Sequence, residues 1–176
     1  MSILDGAQGA GITPSEPINA AGMALILKAA ESFNLTSYKP AMAELWMESL
    51  AQESGKRGKR IPAFQTVATA LRQLAMTFDG YQMRPGDLWQ ATWSLASERL
   101  KVATREGPAP VPMLESVAQE LGWKADWNEA VKRGLDREQA TAYADQRAHV
   151  TRKAITPAPM PDELKTQLEE AFKEQK

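Results

Sequence analysis

The fold is decided by one stretch of the chain, residues 64–80, which reads FQTVATALRQLAMTFDG. Its apolar side chains recur at helical spacing and therefore fall on one face of a helix. These apolar residues are Phe64, Val67, Ala68, Leu71, Leu74, Ala75 and Phe78. Pro62 can open such a helix, and Asp79 and Gly80 form a turn signal that ends it. The stretch predicts an amphipathic helix whose apolar face must be covered by other helices.

Two further amphipathic patterns precede this stretch. The first begins at Asn19, a suitable N-cap, and keeps apolar residues at helical spacing as far as Phe33. The second begins at Pro40 and carries Trp46 on its apolar face before a polar run ends it. Each pattern predicts one helix with a face to bury.

A fourth helix is predicted after the stretch. Pro85 can occupy its first turn, and Trp89 and Trp93 lie one helical turn apart on a broad apolar face. No run of the sequence alternates apolar and polar residues as a half-buried strand would. The sequence therefore predicts an all-α fold with a small four-helix bundle at residues 19–104, preceded by a flexible N-terminus at residues 1–18.

Proline-rich segments divide the remainder of the chain. The first, residues 105–112, predicts a stiff linker after the bundle, and the second, residues 156–161, predicts another break. Residues 113–176 are expected to form a helical, partly flexible C-terminal arm. Short helical pieces are predicted at 113–121, 124–133 and 137–148. A narrow row of apolar residues near the C-terminus indicates one more helix, which would be only marginally stable by itself in water.

The composition excludes several classes of function. The 176 residues are 43% hydrophobic and 24% charged, which is typical of a globular protein. The absence of cysteine excludes disulfides and thiolate chemistry and fits the cytoplasm, and His149 is the only histidine. No apolar run approaches the roughly 20 residues of a membrane span. We expect a non-enzymatic protein with no catalytic residue, cofactor or metal.

The charges are unevenly distributed although the net charge is only −1. Residues 56–101 hold eight basic and three acidic side chains. Four of the basic residues, Lys56, Arg57, Lys59 and Arg60, fall in a glycine-containing segment that predicts an exposed, mobile loop. The segment lacks the spacing and the Ser or Thr of a phosphate-binding loop. We expect these four residues and Arg84 to contact nucleic acid or an acidic partner.

An alternative interpretation is a DNA-binding regulator. Residues 64–100 can be interpreted as a helix-turn-helix unit in which Arg84, Gln90 and Arg99 face DNA. The length of the second helix and its two tryptophans, which call for burial, count against this interpretation.

The bundle resembles the phage and prophage replicative helicase loader/inhibitor family over about residues 20–104. Four segments carry the resemblance, and they read ALILKAAESF at 24–33, AELW at 43–46, FQTVATAL at 64–71 and MRPGDLW at 83–89. They match the family's first apolar helix, a tryptophan in its second helix, a third helix of small residues and a fourth that starts at proline. Arg84 departs from the pattern, because the family often has a Ser or Thr cap there.

The resemblance implies a replicative DNA helicase as the partner, with an origin-binding initiator or DNA as a further one, and no membrane. In the family, a flexible C-terminal region engages the helicase. The residues expected to dock on the helicase here are Trp123, Trp127, Leu164, Leu168 and Phe172. Packing of the two tryptophans against the bundle or against each other is the alternative.

Overall fold

A computed structural model describes residues 3–9, 11–80 and 82–150 of the chain. These residues form an all-α fold without a strand, as predicted. The helices are α1 Ile3–Gly9, α2 Ala20–Ser32, α3 Met42–Lys56, α4 Phe64–Thr77, α5 Pro85–Arg105, α6 Val117–Lys132 and α7 Arg137–Arg147. None of the described helices has both the length and the apolar composition needed to cross a membrane.

Helices α4 and α5 pack together at the centre of the fold. α4 begins at Phe64, and its N-cap Ala63 is in extended conformation. Pro62 therefore precedes the helix instead of opening it. α5 does begin at Pro85, as predicted. The ring of Trp89 meets the ring of Trp46 edge to face, with centroids 6.0 Å apart. The predicted bundle of α2 to α5 is therefore present, around a first core cluster of aliphatic and aromatic side chains.

The N-terminal residues pack on this bundle. Ala7, Ile12 and Ile18 are buried in the first core cluster. The backbone N–H of Ile18 donates to the carbonyl of Pro62 at 2.9 Å. The prediction of a flexible segment at residues 1–18 is therefore wrong for its described residues, because their apolar side chains complete the core.

The residues after the bundle form a helical hairpin. α6 is a single helix, where the sequence predicted two pieces with a break near residue 122. The hairpin has a second core cluster, in which Trp123 and Trp127 are buried among alanines of α6 and α7. This cluster also contains Leu100 and Ala103 of α5. The prediction of a partly flexible arm is therefore corrected for residues 113–150, because they pack on the last turns of α5.

The proline-rich segment 105–112 does follow the end of a helix, but it is held in place. The guanidinium of Arg137 donates to the carbonyls of Ala103 and Gly107 at 3.0 Å each, and also to that of Pro108. The segment is therefore fastened to the start of α7. The second proline-rich break, residues 156–161, lies outside the described residues.

The hairpin and the bundle also meet where α6 ends. Arg99 of α5 donates to the Thr66 hydroxyl at 2.9 Å and to the Lys132 carbonyl at 3.5 Å. A guanidinium suits this place because the C-terminus of a helix carries partial negative charge. Gly134 follows with φ 93°, and a Cβ there would come within 2.8 Å of Arg99 Nη1. The glycine therefore gives Arg99 room to reach the end of α6, where burial lowers the pKa of its guanidinium.

Candidate interaction surfaces

The predicted basic segment is exposed, but it is only partly a loop. α3 continues through Lys56, so the turn begins at Arg57, the C-cap. Gly58 has φ 59°, a conformation that glycine adopts readily, and it leads the chain away from the helix. The mobile loop predicted at 54–60 is therefore shorter, because the helix takes up its first residues.

Two of these basic residues share one carboxylate. Lys56 Nζ lies 3.1 Å from one oxygen of Glu53, and Arg57 Nε lies 3.4 Å from the other. The hydrogen bond from Lys56, followed by the charge of that ammonium, lowers the pKa of the Glu53 carboxyl below its usual value. The positive charge at the end of α3 is therefore partly compensated within the helix.

Arg57 and Lys59 cover the indole of Trp93. The guanidinium carbon of Arg57 lies 4.8 Å from the ring centroid, and the ammonium nitrogen of Lys59 lies 5.3 Å from it. Both distances fit cation–π contacts. Because only 7% of Trp93 is exposed, its ring is not a free platform for a stacked base.

Beside Trp93 lies a concave site that we call the junction cleft. It has a volume of about 270 Å³ and lies where the α3–α4 connection, α5 and α6 meet. Its charged or hydroxyl-bearing lining residues are Lys59, Arg60, Ser97, Glu129, Lys132 and Arg133. Lys132 and Arg133 were not among the predicted site residues. No local pattern marks them, because only the packing of the hairpin brings them to the basic segment.

Ion pairs also connect the basic segment to the hairpin. Arg60 Nη1 lies 3.7 Å from one oxygen of Asp126, and Arg147 Nε lies 3.2 Å from the other. The charge of Asp126 is the main cause that raises the pKa of Arg147. Asp126 therefore links a residue of the α3–α4 connection to one at the end of α7.

Arg84 lies apart from the other predicted contact residues. It is the N-cap of α5, nine residues before Trp93, which is roughly 14 Å along the helix axis. Its backbone N–H donates to Asp87 Oδ2 at 2.8 Å, which is half of a capping box. A guanidinium cannot supply the other half because it accepts no hydrogen bond. In place of a Ser or Thr side chain, the backbone carbonyl of Arg84 accepts the hydrogen bond from the Asp87 N–H, at 3.1 Å.

The helix-turn-helix interpretation expected three residues to face DNA, and the structure contradicts this for one of them. Gln90 and Arg84 are exposed, but Arg99 points inward to Thr66 and the end of α6. The prediction that Arg99 faces DNA is wrong, because the packed hairpin occupies that side of α5.

The tryptophans expected to dock on a helicase belong to the core. Trp123 is 1% exposed and Trp127 is 0% exposed. Their indole N–H groups donate to Asp145 Oδ1 at 2.7 Å and to the Thr141 hydroxyl at 3.2 Å. The docking prediction is therefore corrected for both residues, because they hold α6 against α7. The other three predicted docking residues, Leu164, Leu168 and Phe172, lie outside the described residues.

An exposed apolar surface lies at the start of the hairpin. Met113 is 97% exposed, Val117 is 71% exposed and Leu121 is 62% exposed. Val117 and Leu121 lie one turn apart on α6, and we call the surface that they form the apolar stripe. Met113 precedes the helix and borders a different concavity, beside Gln119 and Gly122. The same spacing could have revealed it in the sequence, but only the structure shows that the tryptophans of α6 take the buried face.

Comparison of the chain with protein-family models, with curated proteins and with solved structures finds no match. In the part of the chain that the structure describes, no three histidine or carboxylate side chains are grouped as a metal site requires. The candidate sites are therefore two surfaces of different chemistry, the cationic junction cleft and the apolar stripe.

Proposed function

We propose that this chain is a non-enzymatic adaptor of phage or prophage DNA replication, which binds the replicative DNA helicase in the cytoplasm and loads it or holds it inactive. The resemblance to helicase loaders supports the proposal. Of the four segments that carry the resemblance, three lie within or mostly within α2, α3 and α4, and the fourth includes the start of α5. The observation that carries the proposal is the apolar stripe, a surface suited to a protein partner.

The chemistry of the stripe favours a protein surface as its ligand. Adjacent apolar side chains that are this exposed leave area in water that a partner could bury. The stripe lies on a helix whose buried face is held by Trp123 and Trp127, so its side chains stand on a rigid support. A preformed helix face also lowers the entropic cost of binding.

A pull-down with the purified replicative helicase tests this proposal. We expect full-length protein to retain the helicase and Leu121→Asp to retain at least about tenfold less, because a carboxylate would have to be desolvated in the interface. Met76→Asp is the matched control, since Met76 is 87% exposed but lies on α4. Equal retention by both variants would exclude the stripe, and no retention by the unmodified protein would exclude the helicase.

A chain that ends at Val150 tests the three docking residues that lie beyond it. If Leu164, Leu168 and Phe172 supply contacts, this chain retains less helicase than the full-length protein. Undiminished retention would assign the contact to the stripe alone.

A nucleic-acid-binding regulator is the second candidate function, and the junction cleft favours it. Lys59, Arg60, Lys132 and Arg133 line that cleft together. Clustered lysine and arginine side chains bind phosphates without reading sequence, which requires no recognition helix. Binding of DNA that weakens steeply with salt, and weakens further when Lys59 and Arg60 become alanine, is the expected result. Undetectable binding at low salt would dispose of this candidate.

A further inference from the structure

We propose that the junction cleft binds a backbone phosphate of single-stranded nucleic acid, with Lys59 of the bundle and Lys132 of the hairpin as its two principal cations. This inference rests on the second candidate function and names the site and the ligand for it. The cleft is thereby a composite site that neither the bundle nor the hairpin forms alone.

The charge balance of the cleft supports an anionic ligand. Arg133 is matched by Glu129, which it contacts at 3.3 Å. Arg60 shares the carboxylate of Asp126 with a second arginine. Among the described residues, by contrast, Lys59 and Lys132 have no carboxylate within ion-pair distance. The two uncompensated ammonium groups leave the cleft with excess positive charge, and lysine is a common phosphate ligand.

The size of the cleft supports a single strand. Its volume of about 270 Å³ is below the range of about 300–1,000 Å³ that is usual for cofactor and drug-sized ligands. It is therefore suited to one phosphate with its sugar. The walls of Trp93, Ala96 and Ala125 are apolar, and the Ser97 hydroxyl adds a neutral hydrogen-bonding group. A single strand can bring a sugar and its phosphate into this concavity together, because they are not held beside a paired strand.

The position of Lys132 is fixed by the contact between hairpin and bundle. It is the last residue of α6, and its carbonyl accepts hydrogen bonds from Arg99 and from the Thr66 hydroxyl. Lys59 follows the turn at Gly58 and is oriented by the indole of Trp93. The backbone of both lysines is therefore already positioned before a phosphate binds between their ammonium groups.

Fluorescence anisotropy with a labelled oligothymidine tests the inference on the full-length protein. We expect Lys132→Ala and Lys59→Ala each to weaken binding by about fivefold or more, and each to reduce the slope of log K against log salt by about 0.7, the value for one phosphate contact on a single strand. Lys124→Ala is the matched control, because Lys124 is exposed on the same helix but does not line the cleft. It should change affinity less than about twofold.

The possible outcomes distinguish failure of the cleft from failure of the nucleic-acid-binding candidate. If the unmodified protein does not bind the oligonucleotide, the nucleic-acid-binding candidate itself fails. If it binds but Lys132→Ala behaves like Lys124→Ala, only the cleft is excluded. Inorganic phosphate that competes as well as the oligonucleotide at equal phosphate concentration would mean a site for free phosphate and would overturn the strand assignment. Circular dichroism of each variant establishes that α6 is retained.

Discussion

The two core clusters of this protein bury their side chains in different ways. The first draws aliphatic and aromatic residues from each of α1 to α5, and its apolar faces cover one another. The second consists mainly of two tryptophans and small residues, and the tryptophan N–H groups need polar partners on α7. The bundle is therefore held by distributed apolar area, whereas the hairpin depends on a few large side chains.

The difference also locates the candidate surfaces. The junction cleft lies along the border between the two clusters, and the apolar stripe lies on the hairpin alone. Both surfaces therefore depend on the less redundant of the two cores. Substitutions in the hairpin should affect binding even where they leave the bundle folded.

The largest effect is expected from Trp127→Ala. Removing a fully buried tryptophan from a small cluster should cost about 3–5 kcal/mol, because few neighbours can fill the cavity. Hydrogen exchange should show that amides of α6 and α7 lose protection while those of α4 keep most of theirs. Leu71→Ala, in the bundle, is the counterpart and should weaken protection in α4 first. Loss of α4 and α7 protection together in Trp127→Ala would mean that the two clusters form one cooperative unit.

A smaller effect is expected from Arg99→Met, which keeps the length of the side chain but removes its hydrogen bonds. The Lys132 carbonyl and the Thr66 hydroxyl lose a charged donor, which should cost about 1–3 kcal/mol. Arg105→Met, an exposed position near the end of the same helix, should change stability little. Urea unfolding measures both variants. Equal midpoints would show that Arg99 does not help to join hairpin and bundle.

The smallest effect is expected from Asp126→Asn. This substitution removes the partner of Arg60 and of Arg147, whose side chains are more than half exposed and well screened by water. We expect a slight decrease in the midpoint of thermal unfolding that disappears at high salt. A decrease that persists at high salt would indicate that the ion pairs are not its cause.

Much of the bundle could be predicted from local sequence patterns. The regular spacing from Phe64 onward gave α4, and Asn19 caps α2 by accepting a hydrogen bond from the Gly22 N–H at 2.9 Å. The helix predicted at 137–148 also forms, as α7, and a capping box of Asp136 and Gln139 opens it. These features depend on neighbours within one or two turns, so a single sequence is enough to reveal them.

The rest depends on contacts between residues far apart in the chain. Two helical pieces were predicted at 113–121 and 124–133, yet packing of Trp123 and Trp127 keeps α6 continuous through Gly122, a residue of low helix propensity. No local pattern indicates that Lys132 lines the same cleft as Lys59, since only the docked hairpin brings them to it. The exposure of the basic residues at 56–60 was predicted correctly, but the site that they form was not.

If the helicase-binding and the nucleic-acid-binding candidates both hold, one chain binds the two ligands through separate surfaces. The most direct test of this claim is a bridging measurement, in which a labelled oligothymidine is retained by immobilised helicase, without nucleotide, in the presence of the chain. We expect retention only with the chain, and its loss both in Leu121→Asp and in Lys59→Ala/Lys132→Ala. If the helicase and the oligonucleotide each bind the chain but displace one another, the two surfaces are not separate and the claim is contradicted.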